Sequence, residues 1–155
     1  MAKAFLLAFL LSCAESTLLA QTPEDSVKAT VNKLFTAMKN GDGATTLLCF
    51  TDSAVLQTIA RNKEGETIVK NEKVADFATL VGTMPKNLAD ERIQFEVIKV
   101  DGPLAVVWTP YSFYLDGLFS HCGVNSFQLI RQNGQWKIHY LIDTRRKQGC
   151  SSQLP

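Results

Sequence analysis

The chain has 155 residues, 20% of them charged, and a formal net charge of +1 at pH 7. That length suits one domain with a substantial core, and the even charge balance leaves no electrostatic case for binding nucleic acid or an anionic membrane surface. No internal repeat, low-complexity tract or second linker-bounded domain interrupts it.

The first twenty residues differ from the rest. Lys3 precedes the apolar run AFLLAFLLS and then CAESTLLA, the layout of a secretory signal. The apolar run is shorter than the roughly 20 residues a membrane span needs. Two processing routes fit: cleavage after Ala20, or lipidation at Cys13 within Leu10-Leu11-Ser12-Cys13, which alone would tie the chain to a membrane. The expected organisation is a signal peptide over 1–20, one domain over 21–150 and a tail over 151–155, with the product secreted or periplasmic. Export leaves Cys49, Cys122 and Cys150 in an oxidising compartment. A Cys122–Cys150 disulfide is expected, and Cys49, inside an apolar run, reads as a buried small hydrophobe. With no CxxC pair, and with His121 directly beside Cys122, no metal site is expected.

Thr22-Pro23-Glu24-Asp25 starts a helix with a hydroxyl cap, proline in the first turn and early acids. Val27, Val31, Leu34, Phe35 and Met38 form its apolar stripe, and Asn40-Gly41 ends it. A short second helix is expected over 44–50. Two short strands follow, 54–59 and 66–69, joined by RNKEG. Asn71 is expected to cap a third helix with Val74, Phe77, Leu80 and Val81 on its apolar face. KNLADER reads as a polar connector.

From Ile93 the hydrophobic period changes to two. Asp101-Gly102, Asp116-Gly117 and Asn133-Gly134 each have the composition of a two-residue hairpin turn. Counting from them pairs Val97 and Phe127 with Val106, Asn125 and Phe95 with Trp108, Ser112 with His121, and Tyr140 with Phe127. The implied inward face carries Ile93, Phe95, Val97, Val106, Trp108, Asn125, Phe127, Leu129, Ile138, Tyr140 and Ile142. The outward face carries Gln94, Glu96, Thr109, Ser126, Gln128, Lys137, His139 and Asp143. Arg145 then falls outward opposite Cys122, and Arg146 falls at the rim opposite His121. Pro110 marks a bend or bulge. The expected fold is an α+β cone, with three N-terminal helices packed on a strongly bent antiparallel sheet and a cavity at its wide end.

This order resembles the nuclear transport factor 2-like, or ketosteroid-isomerase-like, superfamily. The segments DERIQFEVIKV, LAVVWTPYSFYLDGLFSHCGVNSFQLIR, WKI and IDTRRKQGC look more narrowly like its bacterial lumazine-binding family. The resemblance implies a cone-shaped fold with a pocket. Enzymes of the superfamily, such as ketosteroid isomerases and scytalone dehydratase, place an acid or a histidine base in an apolar cavity. The register above puts no Asp or Glu inward on the main sheet, so an isomerase-type carboxylate is not expected.

His121 is inward near the wide end, where a neutral imidazole could act as a base, contact a ligand or hold Ser112 or Arg146 structurally. Trp108 and Asn125 could orient a flat ligand or form a satisfied core pair. Tyr111 and Tyr114 belong to an aromatic run, and Tyr140 packs beside Phe127. Asp143, Arg145 and Arg146 could clamp an anion or secure the tail. The pocket set is therefore Trp108, Tyr111, Tyr114, His121, Asn125, Phe127, Tyr140 and Arg146. Val107, Tyr111, Leu115 and Leu118 would suit a face for a homodimer. No Ser-His-Asp series, phosphate-binding glycine loop or HExxH element is present, and no cofactor is expected. Three readings follow: an exported, non-catalytic binding domain for a small, partly aromatic or apolar molecule; an isomerase, dehydratase or hydrolase with His121 as base; and a structural or protein-interaction domain with a filled cavity.

Overall fold

The computed structural model describes residues 22–150. The expected leader, Cys13 and the tail at 151–155 lie outside the described residues. Helix α1 (Pro23–Asn40) opens with the expected hydroxyl cap, which Asp25 completes as a capping box. Thr22 Oγ1 accepts the Asp25 amide at 3.1 Å, and the Asp25 carboxylate accepts the Thr22 amide at 3.4 Å. Gly41 ends the helix at φ 67°, a left-handed conformation that costs glycine little. Helix α2 (Gly43–Leu48) is capped by Asp42. Helix α3 (Val74–Thr83) starts at Lys73 without a side-chain cap. Asn71, expected to cap it, lies instead in a strand, where its Oδ1 accepts Gln57 Nε2 at 2.7 Å.

Seven strands form one sheet: β1 (Phe50–Arg61), β2 (Thr67–Glu72), β3 (Ala89–Ile93), β4 (Val97–Asp101), β5 (Leu104–Leu115), β6 (Leu118–Gln132) and β7 (Gln135–Arg146). Their order is β2-β1-β7-β6-β5-β3, with β4 also on β5. β3 takes the Tyr111–Leu115 part of β5, and β4 takes Leu104–Trp108. The sheet is strongly curled and unclosed, as expected, but not wholly antiparallel. β1 runs parallel to β7, because no turn joins the two and nothing local sets their relative direction.

The Asp116-Gly117 and Asn133-Gly134 turns form as read, with positive φ at all four residues. The third turn moves to Gly102-Pro103, since Asp101 pairs with Leu104. Two further irregularities correct the register. Phe113 pairs with His121 but Tyr114 pairs with Phe119, which leaves Ser120 as an extra residue in β6. Leu129 pairs with Ile138 but Gln128 pairs with Tyr140, which leaves His139 extra in β7. Each bulge inserts one unpaired residue and so exchanges the two faces of the strand pairing beyond it.

The correction is therefore systematic. Val107, not Val106, faces Phe127; Ser126, not Asn125, faces Trp108; and Asn125 faces both Thr109 and Asp143. Trp108 pairs with Val97 and not Phe95. Trp108, Val106 and Val97, expected inside, are 44%, 38% and 42% exposed. Thr109 and Asp143, expected outside, are buried. Tyr140 and Ile142 are only partly buried, while Leu141 between them joins the core. Of the residues read as a homodimer face, Val107 and Tyr111 are buried within the single chain while Leu115 and Leu118 are exposed, and the outer sheet surface also exposes Val97, Val106 and Trp108.

The core is built from the α1 stripe against Ala105, Val107, Phe127, Leu129, Trp136, Ile138 and Leu141. Phe35 meets Phe127 edge-on at 6.2 Å between ring centres. Cys49 is a free, buried thiol, and Cys122 is bonded to Cys150. Val81 is buried as expected, whereas Leu80, expected on the same face of α3, is half exposed and Ala78 is buried in its place.

Candidate functional site

Beside this core, near the end of β7, the concave side of the sheet is not completely filled. Two adjoining hollows of about 200 and about 60 Å³ share Met38, Glu72, Phe77, Glu91, Asp143 and Arg145 as lining. The larger adds Tyr111, Phe113 and His121; the smaller adds Phe35, Leu141 and Asn125. A wider depression of about 610 Å³ is lined by Leu47, Leu48 and Phe50 together with Thr51, Asp52, Lys73, Gln132 and Lys137.

Glu91 enters the cavity because the expected polar connector contains a strand. Ala89–Ile93 pairs with β5, Glu91 opposite Phe113. Asp90 on the alternate side pairs with Lys39 and Arg92, each at 3.1 Å. The residue Glu91 as a whole is only partly buried, yet its carboxyl is densely surrounded. Burial pushes that carboxyl up to about 7, against the lowering effect of a 2.7 Å hydrogen bond from Asn125 Nδ2. Asp143 raises it further, and Arg145 lowers it.

Asp143 enters the cavity through the His139 bulge. Its Oδ1 accepts Thr58 Oγ1 at 2.5 Å, and its Oδ2 accepts Arg145 Nε at 2.8 Å and lies 3.1 Å from the Tyr111 hydroxyl. That set of donors is the environment of a carboxylate. The Tyr111 hydroxyl also lies 2.9 Å from the Thr144 carbonyl. Burial, and then the nearby Glu91 and Asp143, hold the phenol well above its usual range. Gly123 makes room for this ring: a Cβ there would sit 1.8 Å from the Thr144 carbonyl oxygen and 2.7 Å from Tyr111 Cε1. Glu72 is at the rim, raised above its usual range by burial.

His121 lines the larger lobe, its ring 4.9 Å from Phe113 and 5.7 Å from Tyr111. Its Nδ1 is 3.0 Å from Ser120 Oγ; Ser112 pairs with Cys122 in the ladder and Arg146 sits opposite that same cysteine. Burial, then the Arg145 charge, pushes the imidazole below its usual range, which favours the neutral ring.

Of the residues singled out from the sequence, Tyr111, His121 and Asn125 line the cavity. Phe127 is solid core. Tyr114 is buried between Phe119, at 5.9 Å, and the Arg92 guanidinium, at 4.2 Å. Tyr140 donates to Gln57 Oε1 at 2.6 Å, and neither it nor the exposed Trp108 borders either lobe. Arg146 is exposed and bonds the Gly149 carbonyl at 3.4 Å; Arg145 takes the cavity position. Glu72, Glu91, Asp143 and Arg145 were not expected there. The alternation Ala89, Glu91, Ile93 was the available signal for Glu91.

No family model and no curated protein matches the sequence. Solved structures do match the fold. A nuclear transport factor 2-like protein of unknown function from Shewanella baltica superposes with a TM-score of 0.60 at 11% identity, covering 78% of this chain and 91% of that one. A domain of unknown function with a cystatin-like fold from Nostoc punctiforme gives 0.61 at 18% identity, over 79% and 76% of the two chains. A ketosteroid isomerase-like protein from Erwinia carotovora gives 0.57 at 15% identity, over 79% and 95%. The described domain thus has the nuclear transport factor 2-like, cystatin-like α+β fold.

Proposed function

We propose that this domain binds a small molecule in the cavity between α1, α3 and the curled sheet. The observation that supports this most is the pairing of apolar walls, Met38, Phe77 and Phe113, with the inward carboxyl of Glu91, of which Oε1 alone takes a hydrogen bond among the described residues. An apolar hollow with a few converging polar groups is the usual form of a ligand site. Small aromatic molecules, cationic or neutral, should raise the melting temperature of the wild-type protein. Leu80→Trp, at the half-exposed rim of the larger lobe, should remove that rise while leaving the ligand-free melting temperature nearly unchanged. No rise with wild type, or an equal rise with the variant, would refute the proposal.

Export is part of the same proposal. It is supported by the charged and apolar start of the chain and by the Cys122–Cys150 disulfide, which an oxidising compartment permits. The exported product should begin at Gln21; intact full-length protein confined to the cytosol would contradict this.

A proton-transfer enzyme is the second reading. It is favoured by one observation, the Glu91 carboxyl poised at about 7 beside His121 and Tyr111. Acetophenone in deuterated buffer is the test: catalysed exchange at its methyl carbon, lost in Glu91→Gln, would support it, and exchange no faster than in buffer alone would rule it out for aromatic ketones.

A further inference from the structure

The cavity holds more carboxyl groups than cations. Among the described residues, Glu72, Glu91 and Asp143 line both lobes, and Arg145 is the one basic side chain lining either apart from the His121 ring. Arg145 is already engaged: its Nε donates to Asp143 at 2.8 Å and its guanidinium donates to Thr58 Oγ1 at 3.1 Å. Among the described residues, Glu72 has no ion pair, and Glu91 takes one hydrogen bond, from the neutral Asn125 amide. Asn125 is 4% exposed and its Nδ2 is directed to Glu91; its Oδ1 accepts no hydrogen bond among the described residues. Lys39 and Arg92, which adjoin the lining residues Met38 and Glu91 in sequence, are each held by Asp90 at 3.1 Å.

Among the described residues, the unmatched polar atoms of the cavity lining are therefore acceptors: Glu91 Oε2, Asn125 Oδ1 and the Glu72 carboxylate. An ammonium group is three donors and no acceptor, which complements them. The side walls are aromatic, from Phe77, Tyr111 and Phe113, and ring faces attract organic cations. A bare metal ion suits the cavity poorly, because no group of three or more ligating side chains among the described residues is arranged to hold one.

We infer that the ligand class of this cavity is a small organic amine in its protonated form, its apolar or aromatic body against Phe77 and Phe113 and its ammonium toward Glu91, Asn125 and Glu72. This rests on the small-molecule reading above and specifies the charge of the ligand. An anion is disfavoured by the same carboxyl groups, and a neutral ligand leaves the acceptors unmatched.

Three probes of one shape separate the cases: benzylamine, benzyl alcohol and benzoate, titrated calorimetrically into the purified protein at pH 8. Benzylamine should bind at least roughly tenfold more tightly than benzyl alcohol, and benzoate most weakly. Glu72 is exposed at the rim, so Glu72→Gln should fold normally, weaken benzylamine about three- to tenfold and leave benzyl alcohol unchanged. Benzyl alcohol or benzoate binding as tightly as benzylamine would overturn the amine assignment and leave the small-molecule reading standing. Absence of binding by all three would overturn both.

Discussion

The Asn125 side-chain amide donates a 2.7 Å hydrogen bond to Oε1 of Glu91 and so joins β6 to β3 at the floor of the cavity. The bond fixes one oxygen of a densely packed carboxyl and leaves the other for a ligand. Burial of the same carboxyl gives the fold a pH dependence, which the Asn125 bond opposes. Unfolded, Glu91 titrates near 4.5; folded, burial pushes it up to about 7. Between those values the folded state holds a proton that the unfolded state has released, so stability falls as pH rises. Below the window both states are protonated and above it both are ionised. The carboxyl faces Asp143 and Arg145 on β7, Asn125 and His121 on β6, Tyr111 on β5 and Glu72 on β2. His121, held below its usual range by burial, contributes the opposite slope below about 6.5. Urea unfolding from pH 5 to pH 8 should therefore show a Glu91-dependent loss on the order of 2–3 kcal/mol, allowing for water in the cavity. Glu91→Gln should abolish that component. An unchanged slope in the variant would show that Glu91 does not carry it.

Asp143 ties three strands together through Thr58 of β1, Tyr111 of β5 and its own neighbour Arg145. Asp143→Ala removes an acceptor from all three, and the Tyr111 hydroxyl keeps the Thr144 carbonyl at 2.9 Å. Arg145 is half exposed and can be rehydrated, which limits the loss to about 2–3 kcal/mol. Chemical denaturation measures it, and a loss below about 1 kcal/mol would show that water replaces the carboxylate at little cost.

Gly123 permits the close approach of β7 and of the Tyr111 ring. A methyl group there meets a backbone carbonyl at 1.8 Å, which cannot rotate aside. Gly123→Ala should destabilise by about 3 kcal/mol or more. A melting temperature equal to wild type would show that the strands separate more easily than their hydrogen bonding suggests.

Cys122 and Cys150 are separated by 28 residues. In the chain-entropy description, a link of that length stabilises by about 3–4 kcal/mol. Cys150→Ser should lose that amount, and reduction of wild type should match it, while Cys49→Ala should leave the effect of reduction intact. Equal stability of oxidised and reduced protein would contradict the estimate.

Much of the fold could be read from local chemistry. The Thr22–Asp25 cap, the α1 stripe and two Asx-Gly turns act within a few residues, and each formed as expected. The site was less legible because it depends on counting along strands. Ser120 and His139 each add one unpaired residue, and neither differs in type from an ordinary strand residue. Beyond His139 the error placed Asp143 and Arg145 outward and Tyr140 inward, the reverse of what the structure has. At β5 it exchanged Trp108 for Thr109. Glu91 was missed for another reason: within KNLADER, polar composition outweighed a short alternation, and edge strand β3 is held by pairing with β5 rather than by its own propensity. His121, Asn125 and Phe127 kept their relative placement because no bulge falls between them.

The central claim concerns where a small molecule sits, and amide chemical-shift mapping tests it most directly. With benzylamine or benzyl alcohol added to the isotopically labelled protein, the amides of Phe77, Glu91, Phe113 and His121, which all line the larger lobe, should shift together and saturate at one concentration. Amides at Trp108 and Tyr140, away from the cavity, should stay in place. Shifts confined to the exposed Val97, Val106 and Trp108 surface, or no saturable shift with either compound, would contradict the assignment of this cavity as the binding site.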